Sequence, residues 1–164
     1  MKELPHSRSC FVCGESNPLG LRLRFETDGR IVRGRFCPRP EHAGFKGVVH
    51  GGLVAAVLDE VMAWTCAAIA GRFAYSVEMT VRFRRPFVPG ETVLLTGELA
   101  ANRKDRIYET RAAAQNDSGD ILATATAKFI PVSAAALAEM AGELVGDSSW
   151  LGSLKPEPTL RQGD

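Results

Sequence analysis

The sequence lacks three features that would assign it to a common protein class. It has only four cysteines among 164 residues, and Cys37 and Cys66 stand at unrelated spacings, which excludes a disulfide framework. Its 20 lysines and arginines nearly balance 19 acidic residues, so no overall charge draws it to nucleic acid or to an anionic membrane. Residues 1–10 contain no apolar run of the signal-peptide type. We therefore expect a cytoplasmic protein with no nucleic-acid partner and no membrane partner.

The length suffices for one domain with its own core. Alternation of apolar and polar residues with a period of two predicts antiparallel strands on either side of one long apolar helix, 53–69. The predicted strands are 19–26, 30–37, 75–83, 92–101, 106–115 and 121–131. This order predicts an α+β fold, an antiparallel sheet of about six strands wrapped around a long central apolar helix.

The chain divides into two parts at residue 132. Residues 1–132 contain the predicted sheet and helix together with an N-terminal C-x-x-C segment. Residues 133–164 are predicted to form a short Ala-rich helix, 133–145, followed by a poorly ordered tail that is rich in Gly, Ser and Pro.

Two carboxylates interrupt the apolar helix. Asp59, Glu60 and Thr65 are its only strongly polar residues. Because an ionised carboxylate is costly to bury, Asp59 or Glu60 should meet solvent in a cleft or at a subunit boundary, or serve chemistry. The alternative is a buried salt bridge with Arg82 or Arg84. One sheet covers only one side of such a helix, so we expect a second subunit to cover its other apolar face.

A glycine pair opens the helix. Unsatisfied N–H groups at Gly51 and Gly52, together with the positive end of the helix dipole, favour a negatively charged oxygen. The alternative is that the pair only permits a tight turn. Asp59 lies about two helical turns beyond Gly51, so one subunit cannot bring both to one reacting carbon. Two helices packed antiparallel across a twofold axis can, with Asp59 as general base or as nucleophile.

Two further polar residues flank these groups. His50 is a candidate for orienting the substrate or polarising its carbonyl, although anchoring of the loop is the more common role of such a histidine. Ser76 begins the strand after the helix and has a short side chain suited to holding a carboxylate or a water molecule.

Basic side chains cluster in two places, which include Arg84, Arg85, Arg103 and Lys104. They would suit phosphate groups, or they only keep strand ends solvated. Cys10 and Cys13 resemble half of a zinc knuckle, but tetrahedral zinc needs two more ligands, for which His6, Cys37 and His42 are candidates. The alternative is a pair of reduced, packed thiols. The sequence alone assigns no metal ligand and no cofactor.

Three motifs carry a resemblance to a known family: 47–52 with Asp59, the strand segment 76–79, and 84–86. With them, residues 10–131 resemble the hotdog-fold acyl-CoA thioesterases of the PaaI-like branch, and 10–14 with 17–21 resemble a subgroup of that branch. The resemblance implies a dimer or dimer of dimers that hydrolyses an acyl-CoA substrate. It implies Asp59 as the catalytic carboxylate, Gly51 as the oxyanion donor and Ser76 as the residue that positions water.

One departure from the family pattern concerns position 44. Several relatives carry an asparagine six positions before the motif histidine, where this chain has Gly44, so carbonyl polarisation is missing or falls to His42 or His50. The resemblance also implies a substrate site between subunits. Its candidate residues are Glu60, Met62, Trp64, Phe73 and Tyr75, with the basic residues at the rim. The main alternative is a non-catalytic hotdog protein that binds an acyl-CoA or a related apolar carboxylate.

Overall fold

The computed structural model describes residues 1–147 and residue 149. In this part of the chain, one long helix lies against a seven-stranded antiparallel sheet. The strands are β1 (Lys2–Glu3), β2 (His6–Ser7), β3 (Phe25–Thr27), β4 (Ile31–Phe36), β5 (Ala43–Phe45), β6 (Val48–Val49), β7 (Ala74–Phe83), β8 (Val93–Arg103), β9 (Ile107–Asn116), β10 (Ile121–Pro131) and β11 (Leu144–Val145). The helices are α1 (Gly51–Thr65), continued by a π-helical turn (Cys66–Ala70), and α2 (Ala134–Gly142), with a 3₁₀ turn at Pro40–His42.

The large sheet has the strand order β1-β3-β4-β8-β9-β10-β7. Strands β5 and β6 form a small hairpin before α1, and β2 pairs with β11. The predicted α+β architecture with a long central helix is therefore confirmed. The sheet has seven strands rather than about six because the N-terminal β1 pairs with β3.

One predicted strand is much shorter than expected. The alternating segment 19–26 contributes only Phe25–Thr27 to the sheet. Arg22 has a φ of 59°, a left-handed conformation that interrupts an extended strand. The N–H groups of Leu21 and Leu23 donate instead to the carbonyl oxygens of Phe11 and Val12. The segment is thus held by the C-x-x-C region, which the local pattern did not indicate.

The central helix is buried against the sheet at very short range. Val57, Leu58, Val61 and Met62 have no measurable exposure. Opposite them lies Gly97 of β8, where an added Cβ would come within 2.4 Å of Thr65 Oγ1 and 2.8 Å of the Val61 carbonyl oxygen. Only a residue without a side chain permits this distance, so Gly97 sets how closely α1 approaches the sheet.

Strand β7 ends the sheet on one side. It pairs with β10, and within the described residues nothing pairs with its other edge. Three of its apolar side chains are well exposed, with Tyr75 at 50%, Val77 at 56% and Phe83 at 58%. A long apolar strand with an open edge is a template for pairing with another chain.

The stretch Gly51–Ala70 has a mean hydropathy of 1.7 and is long enough to cross a membrane. Over half of it is buried inside the protein, so its apolar composition also suits its place in the core.

The C-terminal region is tied back to the N-terminal region. Helix α2 lies within the predicted helical segment, and Leu144–Val145 then pairs with His6–Ser7. The predicted tail, 146–164, falls largely outside the described residues.

Replacement of Gly97 tests the close approach of helix and sheet. Gly97→Ala should lower the free energy of unfolding by about 1–3 kcal/mol, because the new methyl group overlaps Thr65 and the Val61 carbonyl. Urea denaturation measures the change. Gly142→Ala is the control, since no described atom beyond its own helix backbone and chain neighbours lies within 4 Å of its Cβ position, and the expected change is within about 0.5 kcal/mol. Equal effects of the two substitutions would contradict the packing argument.

Candidate functional site

His50 caps the N-terminus of α1. Its ring Nδ1 accepts the Gly52 N–H at 3.0 Å, and the backbone N–H of His50 donates to the His42 carbonyl oxygen at 2.9 Å. The Gly52 N–H is therefore already bonded. Among the described residues no acceptor bonds to the Gly51 N–H, which leaves Gly51 as the free donor at this helix end.

Position 44 lies directly against the capping histidine. A Cβ added to Gly44 would lie 3.0 Å from His50 Cδ2 and 3.0 Å from its Cα. A larger residue would therefore press on His50. Gly44, where the chain departs from the family pattern, therefore leaves free the space that the His50 ring occupies.

Asp59 lies in a pocket of about 410 Å³ between α1 and β7. Its Oδ1 is buried and has no hydrogen-bond partner among the described residues. Burial raises the pKa of the Asp59 carboxyl, and the nearby Ser76 hydroxyl opposes part of that rise. The other residues that line the pocket are Gly52, Ala55, Ala56, Ser76, Val77, Glu78 and Met79.

A bulge in β7 shapes this pocket. The register with β10 shifts between Lys128 and Phe129, which pair with Glu78 and Ser76, so Val77 is the extra residue. The bulge breaks the alternation of side chains along the strand. Four consecutive residues, 76–79, consequently line one pocket, whereas a regular strand would offer every second residue.

The carboxylate and the oxyanion donor that the sequence resemblance implies do not meet within one chain. Gly51 and Asp59 are eight residues apart on α1, which places them roughly 12 Å apart along the helix axis. One copy of the chain therefore holds the Asp59 carboxylate and the free Gly51 N–H at separate places.

Glu60 faces a different side of α1. Its Oε1 accepts the Trp64 indole N–H at 3.0 Å and lies 3.4 Å from Cys10 Sγ. Burial, with a further contribution from Cys10, raises its pKa to about 7. The structure thus places Glu60 with the N-terminal segment and apart from the Asp59 pocket, because adjacent helical residues point about 100° apart. No described ion pair involves either carboxylate, so the salt-bridge alternative is not observed.

The apolar residues predicted to contact an acyl group are dispersed. Met62 is fully buried in the core, and Trp64 is 5% exposed and packs edge-on against Phe73. Tyr75 is exposed on β7. None of these four residues lines the Asp59 pocket.

The two basic clusters lie at opposite ends of the sheet. The Arg84 N–H donates to the Leu122 carbonyl oxygen at one end, where Arg85 forms an ion pair with Asp120. Arg103 and Lys104 lie at the turn between β8 and β9 at the other end, and Arg103 forms an ion pair with Glu109. One protomer therefore does not combine them into one phosphate site.

A larger groove, of about 1340 Å³, lies elsewhere on the molecule. It shares no lining residue with the Asp59 pocket. Five arginines line it. They are spread along the chain and form no basic run, so the only local sign of them in the sequence is the alternation of Arg33 and Arg35 on β4. They are Arg22, Arg24, Arg33, Arg35 and Arg39.

Cys10, Cys13 and Glu60 form a separate polar cluster. One ligand atom from each lies within 4.8 Å of the others. Hydrogen bonding, first of all with Cys13, lowers the pKa of Cys10 to about 5, while the same contact and burial raise that of Cys13. The other predicted zinc ligands lie outside this cluster: His6 contacts Glu15, His42 accepts the Arg39 N–H, and Cys37 is exposed.

The comparisons with known proteins agree with this fold. Residues 46–108, which contain the glycine pair, Asp59 and Ser76, match the family model of the thioesterase superfamily. A solved thioesterase superfamily protein is 28% identical with a TM-score of 0.69; the match covers 75% of this chain and 60% of that protein's length. No curated protein sequence is significantly similar to the chain.

Two other solved structures share the fold at lower identity. The Escherichia coli PaaI protein from the phenylacetic acid degradation operon is 18% identical, with a TM-score of 0.63 over 69% of this chain and 81% of that one. A Streptococcus mutans protein bound to acetyl-CoA is 14% identical, with a TM-score of 0.63 over 67% and 88%. The chain thus has the hotdog fold that these thioesterase superfamily structures share, as the sequence resemblance predicted. The C-x-x-C segment lies outside the residues that the family model matches.

Substitution of Asp59 tests the cost of its burial. Asp59→Asn should raise the free energy of unfolding at pH 7, because the folded state then no longer holds an ion whose pKa burial has raised. The gain should shrink as the pH falls toward the ordinary carboxyl pKa of about 3.9, since the wild-type carboxyl is then protonated in both states. Urea denaturation at several pH values measures it. Glu78→Gln, an exposed carboxylate paired with Lys128, is the control and should show no such gain.

Proposed function

We propose that the chain is an acyl-CoA thioesterase that hydrolyses a thioester to a free acid and CoA, in sites shared between two copies of the chain. The observation that carries the proposal is the buried, unpaired Oδ1 of Asp59 beside Ser76 in an accessible pocket. An unsatisfied buried carboxylate is costly, and its placement in a pocket is typical of groups kept for chemistry.

Asp59 serves as the base in this mechanism. Its raised pKa makes the ionised carboxylate a better proton acceptor than an exposed aspartate. It takes a proton from a water molecule that Ser76 helps to position, and the oxygen of that water attacks the thioester carbonyl carbon. The tetrahedral intermediate then collapses, the C–S bond breaks, and the proton passes to the departing CoA sulfur. Direct attack by Asp59, with a mixed anhydride as intermediate, is the second route.

The oxyanion donor comes from the partner copy. The free Gly51 N–H at the helix N-terminus carries the positive end of the helix dipole, which stabilises a developing negative oxygen. With about 12 Å between Gly51 and Asp59 in one helix, two antiparallel helices bring the donor of one to the carboxylate of the other. Such a twofold arrangement creates two equivalent sites.

Strand β7 supports this assembly. Its edge is open within the described part of the chain, and it carries the exposed apolar residues Tyr75, Val77 and Phe83. Pairing of two β7 strands would continue the sheet from one copy into the next. It would also close the outer side of the Asp59 pocket, which β7 borders. We propose a homodimer, with a dimer of dimers as the larger assembly.

The pocket walls suit an apolar acyl group beside a polar reaction centre. Ala55 and Ala56 supply small side chains on the helix, and Val77 and Met79 supply larger ones on the strand. The acetyl-CoA bound to the Streptococcus mutans relative supports CoA esters as the ligand class. The alternative is a non-catalytic protein that binds such an ester, since the fold alone does not determine activity.

Hydrolysis of an acyl-CoA panel tests the activity. The wild type should release free CoA thiol from at least one aromatic, short-chain or long-chain ester. Asp59→Asn should lower kcat by at least about 10²-fold while ester binding persists, because the base is lost and the shape is kept. In the wild type, kcat/KM should fall on the acid side at a pH above the ordinary carboxyl range.

Glu78→Gln is the matched control for this experiment, because Glu78 lines the same pocket but is exposed and paired with Lys128. Unchanged hydrolysis by Asp59→Asn would remove Asp59 from the mechanism. Saturable binding without turnover of any ester would favour the binding protein instead.

Replacement of Gly51 tests the oxyanion donor. Gly51→Pro removes the N–H, and proline is tolerated at the first helical position; the His50 dihedrals of φ −60° and ψ 130° suit a residue before proline. We expect a loss of about 10²–10³ in kcat. Gly51→Ala is the control because it keeps the N–H, and its Cβ would meet Phe83 at an ordinary 3.4 Å.

Mixed dimers then test the sharing of sites. If Gly51 of one copy serves Asp59 of the other, a dimer of one Gly51→Pro and one Asp59→Asn chain retains one intact site. Random mixing should then restore about a quarter of wild-type activity, since half of the dimers are mixed and each has one good site of two. No recovery would mean that both groups act within one copy.

A further inference from the structure

We propose that Cys10, Cys13 and Glu60 form a zinc site that fixes the N-terminal segment, residues 1–20, to α1. The three residues belong to two parts of the chain that are 50 positions apart, yet their ligand atoms lie within 4.8 Å of one another. This inference is independent of the thioesterase proposal, because it concerns the side of α1 that Asp59 does not face.

The backbone around Cys10 has the form of a metal-binding turn. The N–H groups of Val12 and Cys13 point at Cys10 Sγ, at 3.2 Å and 3.4 Å, and such donors stabilise a thiolate. The Gly14 N–H donates to the Cys10 carbonyl oxygen at 2.9 Å, which closes the turn. A Cβ on Gly14 would lie 2.5 Å from the carbonyl oxygens of Arg8 and Cys10, so only glycine fits there. The turn therefore holds both sulfur atoms toward α1.

The third ligand is a carboxylate that the fold otherwise has little reason to hold there. Glu60 lies on the central helix, where its Oε1 accepts the Trp64 indole N–H at 3.0 Å and the Cys10 thiol at 3.4 Å. A cation between the two sulfurs and this oxygen offsets the cost of burying the carboxylate. The Trp64 N–H then orients the ligand from behind, as outer-shell donors do in metal sites.

The ligand set indicates the kind of metal. Two thiolates select borderline and soft ions, and a single carboxylate is a common companion of cysteine and histidine at zinc. Among residues 1–147 and 149, no fourth His, Cys, Asp or Glu joins the group. The fourth position of a tetrahedral site thus falls to a water molecule, which reaches it beside the partly exposed Cys10.

A bound metal has a structural consequence. The segment that follows the turn is held by the N–H groups of Leu21 and Leu23, which donate to the carbonyl oxygens of Phe11 and Val12. The same segment contributes Val12 and Leu23 to the core. Because metal binding adds to folding free energy, the site would stabilise this N-terminal layer on the helix.

A Cys10–Cys13 disulfide is the competing use of this pair. It would leave the Glu60 carboxylate beside an uncharged sulfur bridge and without a cation. The position of Glu60 therefore favours the metal.

The first test uses the wild-type chain, purified under reducing conditions. Metal analysis after loading with Zn²⁺ and removal of the excess should give about one zinc per chain. Replacement by Co²⁺ should give thiolate-to-cobalt charge-transfer absorption and the intense visible bands of a tetrahedral ion. The melting temperature should rise with Zn²⁺ and fall with a chelator. Absence of stoichiometric metal, or cobalt spectra without thiolate bands, would overturn the proposal, as would a Cys10–Cys13 disulfide that persists under reducing conditions.

Variants assign the ligands. Cys13→Ser and Glu60→Gln should each weaken zinc affinity by more than the roughly 10- to 100-fold that loss of an outer-shell partner costs. Cys37→Ser is the control, because Cys37 is an exposed cysteine outside the cluster, and it should bind zinc as the wild type does. Wild-type affinity in Cys13→Ser or Glu60→Gln would contradict the assignment. Glu60→Gln keeps the shape of the side chain, and the wild-type measurements stand even if a cysteine variant does not fold.

Discussion

A single helix inside a curved sheet has one side that the sheet cannot cover, and most of the structure follows from this constraint. The sheet covers the side of the helix that carries Val57, Leu58 and Val61, which are fully buried. Another side borders β7, the last strand, and there lie Gly52, the small alanines and Asp59. The N-terminal segment covers a third side at Glu60. An apolar helix can carry two carboxylates because Asp59 lies in a pocket at the edge strand of the sheet and Glu60 lies under the N-terminal segment.

Asp59 and Glu60 show how adjacent residues acquire different environments. Both carboxyls have a pKa raised by burial, but their neighbours differ. Asp59 has an unpaired oxygen in an accessible pocket, whereas Glu60 has an indole donor and a cysteine sulfur. The helical angle of about 100° between successive residues produces the separation. The catalytic role proposed for Asp59 and the metal site proposed at Glu60 therefore use different sides of the same helix.

The strands and the helix that follow a regular apolar period could be predicted well from the sequence. The strands after the helix alternate regularly and are separated by polar, Pro or Gly turns, so β7 to β10 lie within two residues of their predicted bounds. The run of apolar residues predicted the central helix. Long-range pairing could not be predicted in this way. The segment 19–26 alternates like a strand, but a left-handed Arg22 and the contacts of Leu21 and Leu23 with the C-x-x-C turn interrupt it. No local pattern encodes those partners.

The same distinction separates the parts of the candidate site. The glycine pair, His50, Asp59 and Ser76 lie near one helix and the strand that returns beside it, so a motif of fixed spacing locates them. To predict substrate contacts at Met62, Trp64 and Tyr75, one must know which side of the helix or strand each residue faces. Met62 and Trp64 in fact face the core and are buried. The Val77 bulge is equally invisible in a sequence pattern, although it is what brings residues 76–79 to one pocket. A bulge depends on the partner strand β10, and its effect on the site is therefore a property of the sheet and not of the motif.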